Sequence, residues 1–591
     1  LMGNNGSDAF RVNFTTNADL LANLQIFGNL SDGANALDNL GVVAGADDNS
    51  TDIIQLDRSN VQTLSIFGQG GNDLVHNSAT LAGSPFVAPG IESLDELVGT
   101  INIDLAETGE TLAGDQIALL DRADGSADLV TLTNTQLTGF NGVADFINYV
   151  NAEVFRYTGT AGADTLDVLS TAAGTSYFVS GGAGADTVTI GNQTLEFGTV
   201  FDGSLDTVLG TILVGGEEAP DAAAVDTLNI DDSGTGGLAG AATIDTVAGF
   251  AFARTPFFAN EVGNATVLTN FAGTGLGDTV PIRYFHQAFT GSANNAVEFF
   301  NVQTSTGGDT INVNATTATN TTRIDARDGD DTITIQGENL SANNLIHGDD
   351  GEGPLGAHDT AAPGNDDIIL NLPTGGASIG QTPGNGLATP VGNFSIASLL
   401  ISGDRNTGGA IGDTAQRDRL TINDNTGVAR SLDYFYLNDG VGAFTENASI
   451  NVGPGAANAG LFGANLAAGV LQVRETETYI FNANTANDTV RVFGATDNGA
   501  VATGVNNPAN GELLQVALLP DNADVNAPGG PVVANDASAL VYRNGTPYLS
   551  TLPVEYINAN NRPGLSGGGT STDMLINGMN GAIRLNANNS T

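Results

Sequence analysis

The chain has 591 residues, a net charge of -49 at pH 7 and 17 basic residues, all of them arginine. It contains no cysteine, which excludes disulfides and thiolate metal sites, and its negative charge argues against nucleic acid and anionic lipid as partners. No apolar run is long enough to span a bilayer, so we predict no membrane insertion.

Taken in chain order, the sequence predicts four parts. Residues 1–80 contain short units in which a β-rich segment enters a Gly-rich turn and leaves as a strand, and the clearer unit ends at Asp73. Residues 81–151 lose this spacing and are predicted to form an irregular insert or small lobe. Residues 152–430 are the predicted main β-solenoid with repeated turns, and 431–591 are a degenerate C-terminal solenoid and end region.

The spacing of one phrase predicts the fold. An aspartate-threonine pair before an aliphatic residue recurs at intervals of 22, 20, 20 and 19 residues, at Asp164, Asp186, Asp206, Asp226 and Asp245. A further interval of 22 separates Asp309 from Asp331. Strands that return at such a period stack as a parallel β-solenoid, right-handed by the crossover rule. We therefore predict an all-β, right-handed parallel β-helix with inserted loops.

Aliphatic residues that follow these aspartates share one register. We expect them to face inward and to stack in parallel ladders: Leu166, Val168, Val188, Ile190, Leu228, Ile230, Ile311, Val313, Ile333 and Ile335. Aromatic residues on successive turns of the coil are expected to stack in the same core. A coil of this kind is suited to a role as a spacer or a surface.

The Gly-rich turns carry a resemblance to a known family. The segments Gly68–Val75, Gly159–Val168, Gly181–Ile190 and Asp325–Ile335 resemble the haemolysin-type (RTX) repeat, G-G-x-G-x-D-x-U-x. In that family the aspartate and the turn carbonyls bind calcium, so the resemblance implies ligands at Asp73, Asp164, Asp186 and Asp331. The turn occurs once per unit here and not in tandem. The alternative is that these carboxylates accept hydrogen bonds from N–H groups of the turns.

More widely, the chain is similar to large secreted bacterial proteins with RTX-like repeats and to parallel β-helix surface proteins. That resemblance implies an extracellular or cell-surface location.

A second candidate site is a cluster of acids in two neighbouring units. Stacking would bring its carboxylates together: Asp325, Asp328, Asp330, Asp331, Asp349, Asp350, Glu352, Asp366 and Asp367. So many like charges favour a counter-ion, and a hard cation such as calcium prefers oxygen ligands. We predict calcium there, with solvated loop acids as the alternative.

Three units carry a loop inserted between the Gly turn and the aspartate, in the segments that begin at Ile212, Leu345 and Leu399. Insertions at one phase emerge from one edge of a solenoid, where they build a binding or lattice face. Neutral insertion at a length-tolerant corner is the alternative.

Parallel β-helices also include polysaccharide lyases and glycosidases. This chain has no lysine, and His76, His286, His347 and His358 are scattered without a zinc motif, so we predict no enzyme. We expect an extracellular structural protein, a calcium-binding subunit of a surface layer or filament whose ends, at 2–40 and 552–585, pair with further copies. An adhesin stalk that binds carbohydrate or a cell surface is the alternative, and a polysaccharide-active enzyme is the second. The start at Leu1-Met2 suggests a processed protein or an excerpt.

Overall fold

A computed structural model describes a defined part of the chain. That part comprises 9–13, 23–27, 51–68, 71–78, 91–105, 114–141, 145–197, 202–217, 224–234, 238, 240–253, 257–258, 260–271, 281–286, 297–317, 320–337, 344–348, 364–371, 399–402 and 419–423, and beyond these only the backbone of the strands given below. It is built of strands and turns without an α-helix, so the all-β prediction is confirmed. It also holds no apolar helix of bilayer-spanning length.

The strands up to residue 303 are β1 (Ala9–Asn13), β2 (Asn23–Phe27), β3 (Ile53–Phe67), β4 (Leu74–His76), β5 (Leu97–Asp104), β6 (Gln116–Leu120), β7 (Leu129–Leu132), β8 (Gln136–Thr138), β9 (Phe146–Val150), β10 (Val154–Thr158), β11 (Thr165–Val168), β12 (Ser176–Gly182), β13 (Thr187–Ile190), β14 (Thr211–Glu217), β15 (Thr227–Asp231), β16 (Ala242–Phe252), β17 (Glu261–Thr269), β18 (Ile282–Phe285) and β19 (Phe299–Gln303).

The strands that follow are β20 (Thr310–Val313), β21 (Thr321–Asp325), β22 (Thr332–Gln336), β23 (Asn344–His347), β24 (Asp367–Asn371), β25 (Leu399–Ser402), β26 (Arg419–Asn423), β27 (Arg430–Asn438), β28 (Glu446–Pro454), β29 (Leu471–Arg474), β30 (Thr478–Asn482), β31 (Thr489–Phe493), β32 (Leu514–Leu518), β33 (Ala539–Arg543), β34 (Thr546–Pro547), β35 (Asn558–Pro563), β36 (Leu575–Ile576) and β37 (Asn586–Ser590).

The chain divides into two compact units. The first is Leu1–Gly234 with Thr246–Asn301, and the second is Thr235–Asp245 with Val302–Thr591. The four-part division expected from the sequence stays a prediction. Within 81–151, β6 pairs in parallel with both β4 and β10. The end segments 2–40 and 552–585 lie largely outside the described residues.

Strands of the first unit pair in parallel with those one turn of the coil away. In one ladder β6, β10, β12 and β14 follow one another, and Phe155 is in register with Ile117 and Tyr177. In the other ladder β7, β11, β13 and β15 follow one another, and Leu166 is in register with Val130 and Val188. Each turn of the coil, which we call a rung, thus contributes one strand to each ladder, as a parallel β-solenoid requires.

The second unit repeats this arrangement. Strands β20, β22, β24 and β26 form one parallel ladder, in which Ile311, Ile333, Ile368 and Leu420 are in register. Strands β21, β23, β25 and β29 form the other. The predicted solenoid is therefore present in both units.

The predicted inward ladders are confirmed. All ten aliphatic residues named for them are at most 4% exposed, and Val168, Ile190 and Ile230 stack in register. Aromatic rings stack along the same core: the ring centroids of Tyr149 and Phe155 are 4.3 Å apart. Burial of this kind stabilises a folded chain by about 25 cal/mol per Å² of apolar surface.

A second apolar layer covers the opposite face of the β10–β12–β14 ladder. Neighbouring residues of a strand point to opposite faces, so Phe178 lies on the side away from Tyr177. There it packs in a buried cluster with Val154, Leu213, Phe252, Ala265 and Phe285, which includes residues of β16, β17 and β18. Arg156 on this face lies over the Phe178 ring and donates to Glu261 at 2.8 Å. The face is therefore part of the interior.

Candidate metal centre

Aspartates at the Gly-Asp turns of the first unit stack on one another. Each precedes a strand of the β7–β11–β13–β15 ladder, and the backbone N–H of one donates to the carboxylate of the next. Asp128 N lies 2.7 Å from Asp164 Oδ1, Asp164 N lies 2.7 Å from Asp186 Oδ1, and Asp186 N lies 3.1 Å from Asp226 Oδ1. Glu298 ends the series, because its Oε2 accepts from Asp226 N at 2.7 Å. We call this series the 128–298 stack.

Another series begins earlier in the first unit. Asp52 N donates to Asp73 Oδ1 at 2.8 Å, Asp73 N donates to Asp115 Oδ1 at 2.7 Å, and Asp115 N donates to Glu153 Oε2 at 2.6 Å. This 52–153 stack precedes strands β3, β4, β6 and β10, which belong to the other ladder of the coil. The stacked acid thus stands immediately before a strand in both ladders and is not confined to one ladder of the coil.

A series of the same kind lies in the second unit. Asp309 N donates to Asp331 Oδ1 at 2.6 Å, and Asp331 N donates to Asp366 Oδ1 at 2.9 Å. Leu238 N donates to Asp309 Oδ1 at 2.7 Å. We call this the 309–366 stack. All three aspartates in it are at most 2% exposed.

A glycine five residues before the aspartate makes room for these carboxylates. A Cβ added to Gly159 would lie 2.4 Å from Asp164 Oδ2, and one added to Gly181 would lie 2.2 Å from Asp186 Oδ2. Gly182 and Gly184 follow with φ of +108° and +127°, which L side chains rarely adopt. The Gly-rich pattern that resembles the RTX repeat is thus explained by a tight turn that wraps a carboxylate.

The carboxylates also accept hydrogen bonds from their own turns. Asp164 accepts from the N–H of Thr160 at 2.6 Å and from its hydroxyl at 2.9 Å, and Asp309 accepts from the N–H of Ser305 at 3.2 Å. Burial raises the pKa of both aspartates, and these hydrogen bonds oppose the rise because they stabilise the charged form. The carboxylates of these turns therefore accept hydrogen bonds from turn N–H groups, as the alternative to calcium binding predicted.

Two members of the repeated phrase do not belong to any stack. Asp206 lies in an exposed turn, and Asp245 is exposed on β16. The two stacked aspartates on either side of Asp206 are Asp186 and Asp226, which are 40 residues apart in sequence. The intervals of 20, 20 and 19 residues therefore do not correspond to rungs, because an Asp-Thr pair is equally suited to an exposed turn.

The predicted acidic cluster is only partly brought together. Asp331 and Asp366 are neighbours in the 309–366 stack. Exposed Asp330 accepts from Asn365 N at 2.9 Å, and Asp367 forms an ion pair with Arg419.

The other members of the cluster fall into two groups. Asp325 Oδ2 lies 3.6 Å from Arg323 Nη2, and Asp328 is buried. Asp349, Asp350 and Glu352 lie outside the described residues.

Within the described residues, no group of three or more His, Asp or Glu side chains is arranged to hold a metal ion. The predicted calcium ligands Asp73, Asp164, Asp186, Asp331 and Asp366 lie instead in columns with one carboxylate per rung. Carboxylate oxygens suit a hard cation such as calcium. Their assignment as ligands stays a prediction.

No protein-family model matches the chain, and no curated protein or solved structure shows significant similarity to it. The resemblance to haemolysin-type repeats therefore rests on the turns themselves.

Sequence reasoning missed three residues at one position of the first unit: Asp121, Asp128 and Tyr157. The segment 121–128 reads Asp-Arg-Ala-Asp-Gly-Ser-Ala-Asp. It has no glycine five residues before its last aspartate, so it does not match the repeated turn. The signal that could have identified it is an aspartate where other turns place glycine.

Proposed function

We propose that this chain is an extracellular structural protein, a calcium-binding β-solenoid subunit of a surface layer or filament. The observation that carries the proposal is the repetition of buried carboxylates: within each unit, the 128–298 stack or the 309–366 stack places one acidic side chain per rung in a column. In a structure that repeats in one dimension, the negative charge of these carboxylates must be compensated in every rung. Bound divalent cations would compensate it.

Charge supports a role for cations in assembly. The protein carries a net charge of -49 and has no lysine, so two copies repel each other at low ionic strength. Divalent cations between acidic faces convert that repulsion into attraction. Sites of extracellular modules bind calcium at about 10⁻⁴–10⁻³ M, which matches weak sites of a few oxygens.

Assembly in calcium is the direct test. Purified protein is dialysed against chelator or against calcium and viewed by negative-stain electron microscopy. We expect ordered sheets or fibres with calcium and dispersed particles without it. A protein that stays monomeric under both conditions overturns the assembly proposal.

A melting curve tests the predicted cluster separately. An ion that binds only the folded state raises the melting temperature by mass action. The triple variant Asp328→Asn, Asp330→Asn, Asp331→Asn should lose most of the calcium response, whereas Asp206→Asn, which removes an exposed aspartate outside the stacks, should keep it. An equal rise in melting temperature with calcium in both variants would show that the cluster does not bind calcium.

One observation favours an adhesin as the second candidate. Strands β23 and β25 pair in successive rungs, as do β24 and β26, so the sequence segments 349–363 and 403–418 connect equivalent strands of successive rungs. Insertions at equivalent positions of successive rungs, as the sequence predicts here, suit recognition of a carbohydrate. A monodisperse protein that binds glycans on an array, and loses binding when 403–418 is shortened, would favour the adhesin.

A further inference from the structure

One rung of the first unit departs from the Gly-Asp rule. Asp121 follows β6 and donates its N–H to Thr158 O at 2.9 Å, while Gly159, in the equivalent position after β10, donates to Ser180 O at 2.9 Å. Residue 121 therefore occupies the position that is glycine in the next two rungs, at Gly159 and Gly181. In those rungs the space beside the glycine is filled by the carboxylate of the stacked aspartate.

Two carboxylates consequently share one corner. Asp128 is the stacked aspartate of this rung, since its N–H donates to Asp164 Oδ1 at 2.7 Å. Asp121 is fully buried, and its Oδ1 accepts from Leu94 N at 2.7 Å. The Oδ2 atoms of Asp121 and Asp128 are both buried and accept no hydrogen bond.

The strand register brings a third oxygen towards this corner, because Tyr157 lies two residues before Gly159 as Leu119 lies two residues before Asp121. Tyr157 on β10 is in register with Leu119 and Val179, and all three residues are buried in the core. The Tyr157 side chain is 1% exposed, and its hydroxyl makes no hydrogen bond. A buried hydroxyl without a hydrogen-bond partner is costly to the folded state, so buried polar groups seldom lack a partner.

The charges around these oxygens are negative. Burial raises the pKa of Tyr157 well above its usual value, and the carboxylates that add to the rise are led by Asp121 and Asp164. Burial also raises the pKa of Asp121 to about 8, and the charges that contribute are those of Asp128, Asp95 and Asp124. The next residue, Arg122, lies 4.0 Å from Glu92.

The geometry points to a divalent-cation site, of the class that binds calcium, formed by Asp121 Oδ2, Asp128 Oδ2 and the Tyr157 hydroxyl. Two carboxylates and one divalent ion are electrically neutral together, which removes the cost of two like charges in a buried corner. Three oxygen donors suit a hard cation, and calcium tolerates irregular geometry better than magnesium does.

Entry to this site is from one side. Gly125, Ser126 and Ala127, which join the two aspartates, are exposed, and Asp128 is itself partly exposed. Water from that side can complete the coordination of the ion. The site is separate from the predicted cluster at 325–367 and does not depend on assembly.

The chain offers its own matched variant, Asp121→Gly, which restores the glycine of the neighbouring rungs. Chelator-treated full-length protein is titrated with calcium chloride in a calorimeter, and bound calcium is counted after gel filtration. We expect Asp121→Gly to bind one ion fewer than the wild type while it keeps the same β-sheet circular dichroism. The control Asp206→Asn, which removes an exposed charge elsewhere, should bind the wild-type number.

Tyr157→Phe keeps the test decisive if the glycine variant does not fold, because it removes only the hydroxyl. We expect it to weaken the affinity of one ion by at least about tenfold, as for other groups that support a metal. Equal numbers and affinities of calcium ions in the wild type, Asp121→Gly and Tyr157→Phe overturn the site. If the protein binds this ion but does not assemble in calcium, the result contradicts the proposed function and supports the site.

Discussion

Two neighbouring rungs of the first unit accommodate the carboxylate of the stacked aspartate in different ways. In the β10–β11 rung, Gly159 leaves room for the Asp164 carboxylate, which accepts from Thr160 and from Asp128 N. In the β6–β7 rung, Asp121 stands where that glycine would be, and Oδ2 of Asp128 accepts no hydrogen bond. The turn with glycine is thus closed by hydrogen bonds, whereas the longer turn with Asp121 has two buried carboxylate oxygens, Oδ2 of Asp121 and Oδ2 of Asp128, without a hydrogen bond.

The comparison shows that the glycine has a steric function and an electrostatic one. It makes space for one carboxylate, and it prevents a second from entering the same space. A rung with both carboxylates is stable only when their charge is compensated by a proton or a cation. The flanking strands pair in register in both rungs, but the turn from Asp121 to Asp128 is two residues longer than the turn from Gly159 to Asp164.

The largest effect is expected where the glycine is removed from the closed turn. In Gly159→Ala the new Cβ would lie 2.1 Å from the carbonyl oxygen of Gly181, a backbone atom that cannot rotate away. We expect a loss of about 3 kcal/mol of unfolding free energy, the upper range for overpacking, measured by urea denaturation.

Gly125→Ala is the matched control, because an added Cβ there has no atom within 4 Å. Its unfolding free energy should change by less than about 0.5 kcal/mol. Equal losses in both variants would show that the turn does not depend on close packing around the carboxylate.

A smaller effect, which differs between the two rungs, is expected when each aspartate is truncated in the presence of chelator. Asp164→Ala leaves the buried N–H groups of Asp128 and Thr160 without their acceptor, at a cost of about 2 kcal/mol. Asp128→Ala removes one of two like charges and should be neutral or stabilising. Urea midpoints of the two variants check the difference, and a loss in Asp128→Ala as large as that in Asp164→Ala would contradict it.

The ladders of the solenoid were predictable because their signal is periodic. Leu166 and Val188 follow their aspartates at the same spacing, and such a register places them on one inward face. Asp206 shows the limit of this reasoning, since the same Asp-Thr phrase also forms an exposed turn. A short phrase cannot distinguish the two, because only pairing with a neighbouring strand decides which is formed.

The site at Asp121 was not predictable for a related reason. In the sequence, an acid in a Gly- and Ser-containing segment is most simply explained as a solvated loop residue. Only the pairing of β6 with β10 places Asp121 beside Gly159 and next to the inward Tyr157. The relation is between residues far apart in sequence, and no local pattern encodes it.

The pH dependence of stability should distinguish the two rungs further. Burial and neighbouring carboxylates raise the pKa of Asp121 to about 8 and that of Asp128 to about 7, against about 3.9 in an unfolded chain. The folded protein then binds more protons than the unfolded chain between these values. The stability that the two groups contribute is fully present below about pH 4 and is lost as the pH rises through about 8.

Urea denaturation in chelator across that pH range measures this contribution. We expect Asp121→Gly to lose less stability than the wild type as the pH rises, because a single carboxylate at the corner ionises more easily. Parallel curves for the two proteins would contradict the raised pKa of Asp121.

The smallest effect is expected at the tyrosine hydroxyls of the core, and its sign is informative. The Tyr157 hydroxyl is buried without a hydrogen bond, so Tyr157→Phe in chelator should stabilise the protein by about 1 kcal/mol through relief of desolvation. Tyr149 is the matched control, because its hydroxyl donates to Thr133 O, and Tyr149→Phe should cost about 1 kcal/mol. With calcium present the benefit of Tyr157→Phe should shrink or reverse, since the wild type then gains a ligand that the variant lacks. Melting temperatures of both variants with and without calcium check this, and a stabilisation of Tyr157→Phe that calcium leaves unchanged would show that the hydroxyl never meets an ion.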